Sequence, residues 1–154
     1  SSDVCSSDLK TIIESYRNHP KVSHVLYNQQ NSGSVFKQWI KGIELCQGDY
    51  VWIAESDDYA SEFFLQETLS ALLNDASLGM VFTKSQAVNE NGETINNTWD
   101  AKENSIKKLA SFGNVINKEN APLFLVSHMI VENASSVLFR KSQLMAVGIL
   151  IRRI

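Results

Sequence analysis

The sequence is poor in cysteine, net charge and long apolar runs, and each shortage excludes a class of protein. Two cysteines, Cys5 and Cys46, among 154 residues cannot build a disulfide framework or a paired-cysteine zinc site, so we expect a reducing, cytoplasmic compartment. A net charge of −3 gives no basic face for nucleic acid. The longest apolar runs, 121–131 and 144–151, fall short of the roughly 20 residues that a membrane span needs. The remaining composition, 44% hydrophobic and 20% charged, is that of one ordinary globular domain.

The two ends of the chain do not look like parts of a fold. Residues 1–7 contain Ser-Ser-Asp and its repeat without any periodicity, and they lack the apolar core of a signal peptide. We therefore interpret residues 1–7 as a non-native leader and place the domain at 8–154. The chain also stops abruptly at 149–154, and we expect both ends to be truncated.

Between these ends, apolar periodicity predicts alternating helices and strands. Leu9, Ile12, Ile13 and Tyr16 share one helical face, and Asp8 is a suitable N-cap. Helices are predicted to begin near Asp8, Ser34, Ser61 and Ser142 (the last closed by Gly148), and strands to span 22–27, 50–55, 80–83 and 135–139. Asn-Gly at 91–92 predicts a hairpin turn, and a marginal helix is expected around Ile106 and Leu109. Such alternation favours an α/β fold with a mostly parallel sheet flanked by helices.

The stretch from Gly48 to Asp58 organises this pattern. Five apolar or aromatic residues, 50–54, end abruptly in Glu55, Asp57 and Asp58. The run is typical of a buried strand, and open α/β sheets bind ligands at the carboxyl ends of their strands. Carboxylates there suit Mg²⁺ or Mn²⁺ shared with substrate phosphates. The alternative is that the acidic residues only form a turn and a helix cap, but adjacent carboxylates repel unless a cation or hydrogen-bond donors compensate.

A second group of polar residues lies in the loop that leads into the second predicted helix. Gly33 would let the backbone approach a ligand closely, and a helix N-terminus favours phosphate. Asn31 and Lys37 flank that point. Asn-Ser-Gly-Ser is also a commonplace capped loop, so this group alone leaves both interpretations open.

Together the two groups resemble a known family. The segment from Asn31 to Asp58, NSGSVFKQWIKGIELCQGDYVWIAESDD, is similar to the Asn-x-Gly helix, the Gly-(Asp/Glu)-Tyr-(Ile/Val) strand and the Asp-x-Asp motif of the family 2 glycosyltransferases. The resemblance runs from about Asp8 to Gly148, and 133–142 is similar to the segment that begins the acceptor-side half. It implies an incomplete GT-A (Rossmann-like) nucleotide-diphospho-sugar transferase fold, with the donor nucleotide-binding half at 8–95 and the start of the acceptor-side half at 96–154.

The resemblance also implies site residues and a reaction. Glu55 stands at the first Asp of Asp-x-Asp, which contacts the ribose or the metal, Asp57 at the second, which binds Mn²⁺ or Mg²⁺, and Asp58 at a supporting or sugar-contacting acid. Asn31, Gly33 and Lys37 would complete the donor site. The implied reaction is metal-assisted departure of the diphosphate with attack by an acceptor hydroxyl that a carboxylate deprotonates, which inverts the anomeric centre.

Departures from the family pattern define further expectations. Glu55 has a longer side chain than the Asp usual at that position. The first strand of the family's fold would precede Asp8. The general base is expected beyond Ile154, so this truncated chain should be inactive. Without the first strand, the strands at 22–27 and 50–55 should be splayed, with exposed apolar edges. The expected partners are a nucleotide-diphospho-sugar donor and a glycan or lipid-linked acceptor, with a role in polysaccharide assembly at the inner face of the membrane. A sugar-phosphate nucleotidyltransferase and a non-catalytic metal-stabilised α/β binding module remain as alternatives.

Overall fold

The computed structural model describes residues 7–96, 102–127 and 130–151, and residues 1–6 of the interpreted leader lie outside this part. The chain divides into two compact units, Ser1–Gln47 and Gly48–Ile154. Across the described ranges no helix has the length and apolar character that crossing a bilayer requires.

Among its described residues, 7–47, the first unit contains two helices, α1 (Ser7–Ser15) and α2 (Val35–Leu45). Both were predicted from their apolar periodicity and are confirmed, but Asp8, the predicted N-cap, lies inside α1 as its second residue. Ser34 is the N-cap of α2, with extended backbone, but its side chain makes no capping hydrogen bond.

The predicted strand at 22–27 is wrong, because these residues adopt no regular structure. A strand needs a neighbour to pair its backbone groups and bury one face. Leu26 in this segment is 62% exposed. The apolar run therefore lacks the burial on which its prediction depended.

The second unit contains five strands and three helices among its described residues. They are β1 (Tyr50–Trp52), α3 (Phe64–Asn74), β2 (Met80–Phe82), β3 (Ala87–Val88), β4 (Thr94–Asn96), α4 (Glu103–Ser111), β5 (Val137–Arg140) and α5 (Lys141–Ile151). A π-helical turn at Pro122–Ser127 and a 3₁₀ turn at Ala134–Ser136 lie between α4 and β5.

The main sheet has the strand order β1-β5-β2. Val51 lies opposite Phe139, and Val81 lies opposite Leu138. Both pairings are antiparallel, so the predicted parallel pairing is not seen in the described residues. Since β1 and β2 each run against β5, they run in the same direction as each other, and α3 connects them as a crossover helix.

The antiparallel pairing has a simple cause. The alternation of strands and helices predicted the direction of β1 and β2, but the strand between them comes from much later in the chain. The connection from β2 to β5 spans residues 83–136, long enough to bring β5 in from either direction.

Helix α3 begins three residues later than the predicted start at Ser61. Phe64, Thr68 and Leu72 repeat every four residues and are buried, because this spacing places them on one helical face. They pack α3 onto β2 and β5. Helix α5 also departs from its prediction, because Gly148 lies inside the helix instead of closing it.

The predicted hairpin is confirmed as β3 and β4, which pair antiparallel. The Gly92 amide donates to the Asn89 carbonyl (2.9 Å) and the Asn89 side chain accepts from the Asn91 and Glu93 amides. Gly92 has φ +79°, as the left-handed position after a three-residue turn requires.

The expected helix around Ile106 and Leu109 is also confirmed, as α4. Leu109 joins Phe124 and Ile130 in a buried cluster, against which Phe82 packs. The polar region between β4 and β5 therefore supplies part of the core of the second unit.

Candidate functional site

The acidic residues follow β1 as a short loop, which we call the acidic loop (residues 55–58). Val51 is buried at the centre of β1, and the strand ends at Trp52, three residues before Glu55. The Asp58 amide donates to the Glu55 carbonyl (3.3 Å), which turns the chain toward α3. Glu55 is half-buried, whereas Asp57 and Asp58 are exposed. The loop thus presents its last two carboxylates to solvent.

A serine 80 positions further along the chain fixes the start of this loop. The Ser135 hydroxyl oxygen accepts a hydrogen bond from the Glu55 amide (3.0 Å), and the Ser135 carbonyl accepts one from the Trp52 indole N–H (2.8 Å). The Trp52 ring packs on Phe64, the first residue of α3, with 5.0 Å between ring centroids. Sequence reasoning missed Ser135 as a functional candidate, because no spacing rule connects it to the acidic loop.

A cavity of about 490 Å³ opens beside the acidic loop. Its walls are the acidic loop, the start of α3, the segment 83–88 after β2 and the turn at 133–136. Asp57 and Asp58 line it, together with Glu67 and Lys84, while Glu55 is not part of the lining. The carboxylates of the acidic loop therefore share the cavity with polar residues from three other chain segments.

The other predicted donor residues lie in the first unit and form a local cluster. Gly33 has φ +65°, and its amide donates to the Asn31 side-chain oxygen (2.8 Å). The Lys37 ammonium donates to the Ser32 carbonyl (3.5 Å). Asn31 and Gly33 therefore lie in a locally hydrogen-bonded loop before α2, and Lys37, in the first turn of α2, contacts that loop through Ser32.

A divalent ion such as Mg²⁺ needs oxygen ligands that converge on one point. In the described parts of the chain, no group of three or more His, Cys, Asp or Glu side chains is arranged to hold a metal ion, so Glu55, Asp57 and Asp58 do not form such a group. Two carboxylates on a cavity wall nevertheless suit an ion that takes its remaining ligands from phosphate oxygens and water. The residues present fit a metal that arrives with a diphosphate.

Comparison with known proteins identifies the family of this chain. The family described as "Glycosyl transferase family 2" matches residues 3–133, which is most of the chain, and the chain belongs to that family. It is also similar to chondroitin synthase of Escherichia coli, with 28% identity over 116 residues. That match covers 71% of this chain and 16% of the relative. No solved structure matches the chain.

Proposed function

We propose that the protein is part of an inverting glycosyltransferase that moves a sugar from a nucleotide-diphosphate donor to an acceptor hydroxyl, with metal assistance through Glu55-Ser56-Asp57-Asp58. The observation that carries this proposal is the cavity beside the acidic loop, with Asp57 and Asp58 on its wall. Membership of family 2 supports the transfer reaction. The inversion and the role of the metal are inferences from the family resemblance.

The proposed roles are those that the family resemblance implies; Asp57 and Asp58 line the cavity, whereas Glu55 does not. Asp57 would hold Mn²⁺ or Mg²⁺ together with Glu55, and Asp58 would contact the donor sugar. When bound at these residues, Mn²⁺ or Mg²⁺ would supply Lewis-acid chemistry for the departure of the diphosphate. Asn31, Gly33 and Lys37 would bind the donor at the N-terminus of α2.

The wider proposal concerns the fold and the substrates. The parallel directions of β1 and β2, joined by α3, support a GT-A fold. From the family resemblance we propose the donor half at 8–95 and the start of the acceptor-side half at 96–154. The name of the relative indicates a polysaccharide product, so we propose a glycan or lipid-linked acceptor and polysaccharide biosynthesis, at the inner face of the membrane.

The proposal is tested by the binding of Mn²⁺ with UDP or GDP, measured by titration calorimetry. Asp57→Asn keeps the side-chain shape but removes the charge that would hold the ion, and should weaken metal-dependent nucleotide binding by at least about tenfold, since charge-assisted contacts contribute roughly 1.5–3 kcal/mol. Asp49→Asn is the matched control, because Asp49 is an exposed carboxylate immediately before the same strand.

Two outcomes would contradict the proposal. Equal binding by Asp57→Asn and Asp49→Asn would remove the acidic loop from the donor site. Metal binding that has no effect on nucleotide affinity would favour the non-catalytic metal-stabilised module.

A further inference from the structure

Trp52 and Ser135 hold both ends of the segment 55–64, which carries the acidic loop. At its start, the Glu55 amide donates to the Ser135 hydroxyl oxygen, and Trp52 donates to the Ser135 carbonyl. At its end, Phe64 lies against the Trp52 ring. Ser135 is only 9% exposed, so solvent has little access to compete for these hydrogen bonds.

We propose that Ser135 and Trp52 form a positioning pair that sets the geometry of the acidic loop and thereby its affinity for a metal-bound diphosphate. This inference rests on the proposed function and deepens it. Ser135 acts through the backbone of Glu55, and Trp52 acts through Ser135 and Phe64. Neither residue has to touch the ion.

Ser135 can set the geometry of the acidic loop because its hydrogen bond to Glu55 lies just beyond the end of β1. Beyond Trp52 the backbone leaves the sheet ladder, so the Glu55 amide is held by a side chain instead of a neighbouring strand. Without that acceptor a half-buried amide loses its partner, and the loop can relax toward water. Displacements of about 1 Å in groups that position a ligand can have large effects on activity.

The neighbouring serine provides a matched control. Ser136 lies in the same 3₁₀ turn and is similarly buried, at 6% exposure. Its hydroxyl donates to the Asn133 carbonyl (2.9 Å) and makes no hydrogen bond to the acidic loop in the described structure. Ser135→Ala and Ser136→Ala therefore remove the same atom from the same turn, but only the first removes the acceptor of Glu55.

The first measurement is amide hydrogen exchange of Glu55, without metal or nucleotide. We expect Ser135→Ala to raise its exchange rate about three- to tenfold, the effect of losing one hydrogen bond. Ser136→Ala should leave the exchange rate of Glu55 unchanged. Ser135→Thr, which keeps the hydroxyl, should have the wild-type rate. This readout does not depend on the protein binding any ligand.

The second measurement is Mn²⁺-dependent binding of UDP or GDP, with thermal unfolding recorded for every variant. Ser135→Ala should weaken binding about three- to tenfold at a temperature where it is folded, and Ser135→Thr should bind like the wild type. Trp52→Phe keeps an aromatic ring against Phe64 but removes the indole N–H, and should weaken binding in the same direction. If Ser135→Ala does not fold, Trp52→Phe tests the same pair.

The outcomes separate this inference from the proposed function. If Asp57→Asn weakens binding by at least about tenfold while Ser135→Ala and Trp52→Phe bind like the wild type, the positioning pair is overturned and the transferase proposal stands. If the wild type binds no nucleotide with Mn²⁺, both are overturned. Faster Glu55 exchange together with weaker binding supports the pair, whereas a lowered melting temperature with unchanged binding reduces Ser135 to a structural role.

Discussion

At the last position of β5, the guanidinium group of Arg140 lies among three main-chain carbonyl oxygens. It donates to Leu72 (2.6 Å), Asp75 (3.2 Å) and Leu78 (3.0 Å), and also to the Tyr50 hydroxyl (3.2 Å). Two of these carbonyls belong to the C-terminal end of α3 and the residue that caps it, where helix carbonyls have no partner within the helix. One side chain thus connects α3, β1 and β5.

Arg140→Met should destabilise the protein by about 1–3 kcal/mol, because it leaves several partly buried carbonyls without a donor. Arg17→Met is the control, since Arg17 pairs with Glu14 at the surface and its side chain is 44% exposed; its loss should stay within about 0.5 kcal/mol. Urea unfolding of both variants measures the difference. Equal losses would show that the Arg140 network contributes no more than a surface pair.

At the same scale, the sequence singled out two residues that line the cavity, Asp57 and Asp58, but not Ser135. Asp57 and Asp58 could be proposed because an apolar run followed by acids predicts the end of a buried strand. Ser135 could not, because its importance comes from a contact with Glu55 across 80 positions of the chain. Local patterns contain no information about such a pairing before the topology is known.

At the scale of elements, the hairpin of β3 and β4 depends on one backbone conformation. Gly92→Ala places a Cβ at φ +79°, where there is space around it but the backbone is strained, and should destabilise by about 1 kcal/mol. Gly42→Ala lies within α2, also in open space, and should stabilise by about 0.5–1 kcal/mol. Thermal unfolding distinguishes the two, and a gain from Gly92→Ala would contradict the turn described here.

The elements predicted well are those whose own residues determine them. The helices α1, α2 and α3 follow from apolar spacing, and the hairpin follows from Asn-Gly at its turn. The segment 22–27 has strand-like composition, but a strand forms only where a partner is available, and that information is not in the segment. The antiparallel direction of β5 was missed for a related reason, since it depends on a long connection and not on local sequence.

At the scale of the whole molecule, ligand binding should raise the free energy of unfolding. A nucleoside diphosphate with Mn²⁺ at about one hundred times its Kd should stabilise the wild type by about 2.7 kcal/mol, which corresponds to a rise in Tm of about 5–10 °C for a chain of this size. EDTA should abolish the rise, and Asp57→Asn should reduce it, to about half the wild-type rise if affinity falls about tenfold. A rise that persists in EDTA would mean that the nucleotide binds without the ion.

The place of β5 in the sheet has a consequence for how the protein is made. β1 and β2 leave the ribosome well before Val137, yet each forms its ladder with β5. Pairing of distant segments is slow because a long loop must close first. During synthesis the nascent chain therefore carries two open strand edges, which makes this interval the one in which a chaperone would protect it from aggregation.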